Sequence, residues 1–97
     1  MANVGNNTYN YKHISSAATT NVHQTGPVLL HSLCVNTGAT GTVTVLDGTT
    51  ATDTSRATVA VVDSNTNQEK KYDVILSRGL VVVTDSAADL TISYVTI

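Results

Sequence analysis

The sequence predicts an all-β fold: a small antiparallel β-sandwich or barrel, jelly-roll or immunoglobulin-like, with an extended N-terminal arm. Three observations predict it. From Val28 to Ile97 the chain is an almost unbroken series of short Val/Thr runs separated by Gly, Asn, Asp and Ser, the punctuation of a sandwich or barrel. Those β-branched residues suit a pleated, half-buried surface. No segment shows an apolar period near 3.6 residues, so no helix is expected.

Composition divides the chain near Gly26-Pro27, into an arm or edge strand over residues 1–25 and one sandwich or barrel domain over 26–97. Residues 1–25 are rich in Asn, Thr and Ser and poor in large aliphatics. Within them Tyr9 to Ile14 reads as a strand with Tyr9, Tyr11 and His13 on one face, too polar to bury itself. Pro27 fixes its own φ and restricts its predecessor, which marks a turn. Val28 to Asn36 is apolar on both faces, with Leu29, Leu33 and Val35 opposite Val28, Leu30 and Cys34, and is expected to be a central strand. Thr42 to Asp47 alternates with Val43 and Val45 inward, and Asp47-Gly48 is a turn signal because both residues tolerate positive φ.

After a polar loop, Arg56 to Asp63 is a strand with Ala57, Val59 and Val61 on one face. Ser64 to Asn67 turns into Lys70–Leu76, where Tyr72, Val74 and Leu76 share a face. Arg78-Gly79 leads into the apolar run Leu80–Thr84. Asp85 to Ala88 turns again into a last strand, Asp89–Ile97, with Leu90, Ile92 and Tyr94 facing the core. That last strand has no charged or proline gatekeeper, so it is expected either in the middle of a sheet or covered by a neighbour.

Ninety-seven residues make one domain. A domain of this size buries only about 60–65% of the surface its unfolded chain exposes. The core must be built from Val, Leu, Ile, Ala and a few Tyr, because there is no Phe or Trp, and the single Cys34 allows no internal disulfide. Extra burial in an oligomer or on a partner is therefore expected. The net charge is −2, and the five basic residues, Lys12, Arg56, Lys70, Lys71 and Arg78, form no stripe, which argues against nucleic acid. Met1-Ala2-Asn3 opens without a basic n-region or apolar h-region, and no apolar run approaches a bilayer span. Neither a secretory leader nor a membrane span is expected. The lone thiol suits synthesis in a reducing cytoplasm, and the sequon Asn6-Asn7-Thr8 reads as chance.

Chemical motifs are few. His13, His23 and His31 are scattered, and His31 and Cys34, three apart in one strand, are expected on opposite faces, so no metal site is expected. Asp63-Ser64-Asn65-Thr66-Asn67 begins like a calcium loop, but Gln68 and Val74 stand where it needs Gly and Glu. Asp47 and Asp53 flank a Thr-rich loop that could loosely hold a cation. Asp85-Ser86-Ala87 has Ala where an aspartic protease has Gly, and no nucleophile elbow is present. The chain reads as no enzyme, with no catalytic residues and no cofactor.

The runs VLLHSLCVNTGATGTVTVLDGTT, RATVAVVD, YDVILSRGLVVVT and DLTISYVTI resemble short all-β virion structural proteins of tailed bacteriophages, of the capsid decoration or cement type. The likeness covers about 70 residues and consists of β-hairpin grammar such as G-T-V-T-V-x-D. It brings no catalytic residues, and residues 1–25 have no counterpart in it. It implies a capsid decoration protein on the virion surface, synthesised in the host cytoplasm, homotrimeric, with the major capsid protein as partner and neither nucleic acid nor membrane. In such proteins the N-terminal arm extends onto neighbouring subunits; here Tyr9, Tyr11, His13 and Ile14 are the expected contacts. The alternatives are a tail, neck or fibre component, or a small carbohydrate-binding module using Tyr9 and Tyr11.

Overall fold

Alternating side chains and close-spaced turn residues produce eight strands in the computed structural model, which describes residues 9–97. They are β1 (Asn10–Ile14), β2 (Ala18–His23), β3 (Val28–Thr37), β4 (Thr42–Asp47), β5 (Ala57–Asp63), β6 (Gln68–Leu76), β7 (Leu80–Thr84) and β8 (Asp89–Thr96). Every pairing is antiparallel. Sheet I has the order β1-β8-β3-β6 and sheet II the order β2-β7-β4-β5.

Of the consecutive strands, only β4 and β5 are neighbours in one sheet; every other connection crosses between sheets. That order is the eight-stranded jelly roll rather than the immunoglobulin arrangement. The smallest extent, 18 Å, suits two sheets packed about 10 Å apart with side chains outside them.

The core lies between the sheets and is almost purely aliphatic. Ile14, Val28, Leu30, Leu33, Val35, Val43, Val45, Val62, Leu76, Leu80, Val82, Ala88, Leu90 and Ile92 form one buried cluster, with Tyr72 and Tyr94 packed at its margin. Burial raises the Tyr72 phenol above its usual range. β8 runs between β1 and β3, so the strand without gatekeepers sits in the middle of a sheet.

The described part of residues 1–25 is built into the sandwich. β1 pairs with β8 from Asn10↔Tyr94 to Ile14↔Leu90, and β2 pairs with β7 from Ala18↔Thr84 to His23↔Leu80. These are edge strands, one for each sheet, and the sandwich begins at Asn10 rather than at Gly26. Residues 1–8 of the expected arm lie outside the described residues.

Two bulges change which side chains face inward. In β3 the register with β8 steps from Leu30↔Tyr94 to Ser32↔Ser93, so His31 and Ser32 both fall on the outer side of the strand, Ser32 covered by its neighbours and 4% exposed. Val28 and Leu30 are buried before that point, and Leu33 and Val35 after it. In β5 the register steps from Val45↔Ala60 to Leu46↔Thr58. Val62 is buried while Val61 is exposed, which corrects the face expected for Ala57, Val59 and Val61.

Candidate functional site

The loops at both ends of the sandwich are stapled by their own polar side chains. At one end Asp53, 6% exposed, accepts hydrogen bonds from the Thr49 and Ser55 backbone N–H groups at 3.0 and 2.9 Å. Arg78 donates to the same carboxylate through Nε at 2.8 Å and Nη2 at 3.0 Å. Asp47 accepts from the backbone N–H groups of Ser77 and Arg78 at 3.1 and 2.8 Å. The two carboxylates that could have flanked a cation are thus engaged with N–H donors.

At the other end Asp63 caps its own turn by accepting from the Asn65 N–H. Asn65 and Asn67 accept from the backbone of Gly41 and Gly38. Asp85 accepts from the Thr42 N–H at 2.6 Å, and the Ser86 hydroxyl meets that of buried Ser64. The calcium-like and protease-like stretches both serve as turn staples. The first joins strands of different sheets instead of closing a hairpin.

The outer face of sheet I is different. Strand alternation puts Tyr11 and His13 outward from β1, beside Ser93 and Thr91 of β8. His13 Nε2 lies 2.9 Å from Asp89 Oδ1, and Asn36 Nδ2 donates to the same oxygen at 2.9 Å and to Thr91 Oγ1 at 3.0 Å. The Cys34 thiol donates to Asn36 Oδ1 at 3.3 Å. A polar network therefore ties β1, β8 and β3 together.

Farther along the same face, His31 Nδ1 lies 2.5 Å from Asp73 Oδ1, joining β3 to β6. The Tyr9 ring stacks on His31, with centroids 4.2 Å apart and planes 18° from parallel. Asp73 has φ +51°, a left-handed conformation uncommon outside glycine and tolerated best by Asn and Asp. It sits where the β3–β6 register shifts, between Leu30↔Val74 and Ser32↔Lys71. Because of the β3 bulge, His31 and Cys34 share the outer face instead of lying on opposite faces. Among the described residues, no three His, Cys, Asp or Glu side chains converge as a metal site.

An apolar row completes this face. Leu29 of β3 lies opposite Ile75 of β6 on one side and Val95 of β8 on the other. Ile75 is 63% exposed, Tyr11 71% and Tyr9 50%. Of the four expected contact residues, Tyr9, Tyr11 and His13 come together here. Ile14 does not: it pairs with Leu90, points into the core and is 5% exposed. A scan of protein-family models and searches of curated proteins and of solved structures returned no match to this chain.

Two of the carboxyls are held more acidic by their surroundings, and the acid sensitivity of the fold is expected to follow them. Arg78, with the Ser55 and Thr49 N–H groups, holds the Asp53 carboxyl well below the usual carboxylate range. Asn36, and after it His13, lowers that of Asp89. A carboxyl more acidic in the folded than in the unfolded chain contributes stability that is present above the unfolded value, near 3.8, and lost as pH falls through the folded one. The urea midpoint is expected to hold from pH 7 to 5 and to fall steadily below pH 4. In Asp53→Asn the midpoint is lower at neutral pH and the acid-dependent fall is smaller. An unchanged fall would show that Asp53 is not among its sources.

Proposed function

We propose that this chain is a structural protein of a bacteriophage head, a decoration or cement protein that seats on the major capsid protein and bridges its subunits. The observation that carries this reading is the contrast within the jelly roll. Both ends are stapled turn to turn, while among the described residues the outer face of sheet I is left open with exposed Tyr9, Tyr11 and Ile75. Large exposed apolar or aromatic patches mark interaction surfaces. The jelly roll is an architecture that virion shells use, and the sequence resemblance points to the same class of protein.

Four strands about 4.8 Å apart and some eight residues long offer a face of roughly 500 Å². That is below the roughly 800 Å² per partner of a standard stable interface. One copy would hold weakly. Copies grouped in threes, as the resemblance implies, gain by linkage, since each further contact forms at high effective concentration.

The test is to add the purified protein to heads assembled without it. Saturable co-sedimentation is expected, together with density on the head surface in image reconstructions and heads that survive higher temperature. Absence of binding at saturating protein, or density confined to the tail or neck, would overturn the reading.

A further inference from the structure

The chain's entire formal charge imbalance lies on the outer face of sheet I. Glu69 and Lys71 of β6 share it with Asp73, and Asp89 adds a third carboxylate. The remaining acids, Asp47, Asp53, Asp63 and Asp85, are matched in number by Lys12, Arg56, Lys70 and Arg78. The face thus carries the net −2 of the whole molecule. Asp73 is 60% exposed even with His31 bonded to it, beside the Tyr9–His31 stack and the Ile75–Leu29–Val95 row.

The sheet edges favour contact through this face instead of edge pairing. β2 and β5 carry bulges, β6 carries a bulge with Glu69, Lys70, Lys71 and Asp73, and β1 is only five residues long with Lys12 in it. Short, bulged and charged edges resist strand addition. A second copy docked face to face would set a face of net −2 against another of net −2, and phosphate-bearing partners meet the same repulsion. A cationic partner is attracted. Arginine fits best, because its planar guanidinium stacks on a tyrosine ring while forking a carboxylate.

We propose that the outer face of sheet I docks a cationic protein patch, seating an arginine against Tyr9 in a pair with Asp73, with Tyr11 a further aromatic contact on the same face. The proposal deepens the cement reading, on which it rests, by naming the chemistry of the capsid surface. Two arms of one experiment separate the two claims. The first measures binding to heads for the intact protein, Asp73→Asn and Tyr11→Ala, each checked for its β-sheet circular dichroism, from low to high salt. Losses of about tenfold or more are expected for each variant, as for anchor residues of an interface, with affinity falling as salt rises.

The second arm titrates N-acetyl-arginine amide, and its uncharged citrulline counterpart, into isotope-labelled protein. Shifts at Tyr9, Tyr11 and Asp73 are expected with arginine, absent with citrulline and absent in Asp73→Asn. If heads bind all three proteins equally, the docking proposal is overturned and the cement reading stands. If heads do not bind but arginine shifts the face, the reverse holds. Binding that needs Tyr11 but ignores Asp73 and salt would identify an uncharged ligand such as a glycan and overturn the cationic partner. So would a dimer in sedimentation equilibrium that Tyr11→Ala dissolves.

Discussion

Leu33→Ala is expected to remove about 3–5 kcal/mol of stability, the range for truncating a fully buried leucine in a core that cannot close over the gap. Leu33 is 0% exposed and stands in β3 between Ile92 of β8 and Lys70 of β6. Its neighbours in the core are branched aliphatics and leucines, whose few rotamers leave little room to refill the space. A domain of this length has about 5–15 kcal/mol in all, so the variant loses a large fraction of it. The check is chemical denaturation of the intact protein beside Val61→Ala, an exposed site where less than about 0.5 kcal/mol is expected. A loss below about 1 kcal/mol at Leu33 would mean that the aliphatic core is loosely packed.

Much of this core could be read from alternation alone, and the exceptions have identifiable physical causes. Val43, Val45, Leu90 and Ile92 face inward as their patterns predict. In β3 alternation fails because the strand changes parity at His31–Ser32. The apolar residues on both nominal faces were the trace of that bulge: Val28 and Leu30 belong to one register, Leu33 and Val35 to the other. β2 went unseen because Ala18–His23 holds a single large aliphatic, Val22, and gains its place by pairing with β7. Turn residues marked where the chain bends but not whether it returns to the same sheet, since that depends on the partner strand.

The candidate face was legible only in part. Tyr9, Tyr11 and His13 share a side because they alternate, and the same alternation, followed one residue further, assigns Ile14 to the core. The acidic half of the face was hidden by distance along the chain. Asp73 lies 42 residues from His31, and Asp89 lies 76 from His13, so only the jelly-roll order brings them together. Asp73 had no signal of its own, since a left-handed aspartate inside a Lys/Val strand looks like any other exposed residue.

Gly79→Ala is the second substitution expected to act strongly, with a loss of about 1–3 kcal/mol from overpacking. Gly79 lies in the β6–β7 turn and is buried. A Cβ there would stand 2.5 Å from the carbonyl oxygens of both Gly48 and His23. Gly48 lies in the β4–β5 connection and His23 ends β2 where the β2–β3 connection begins, so the methyl group would press three turns apart at once. The surroundings cannot give way easily: Gly48 N–H donates to the Gly79 carbonyl at 3.3 Å, Gly26 N–H to that of Arg78 at 3.2 Å, and Asp47 holds the Ser77 and Arg78 N–H groups. Gly26→Ala supplies the contrast. Gly26 has φ +105° with nothing within 4 Å of its Cβ position, so its cost is backbone strain alone, about 1 kcal/mol. Denaturation of both variants separates the mechanisms. The structure requires Gly79→Ala to be the more damaging, with hydrogen exchange accelerated across all three turns, whereas Gly26→Ala loosens only its own. Equal losses, or protection lost at the β6–β7 turn alone, would contradict the close approach of the three connections.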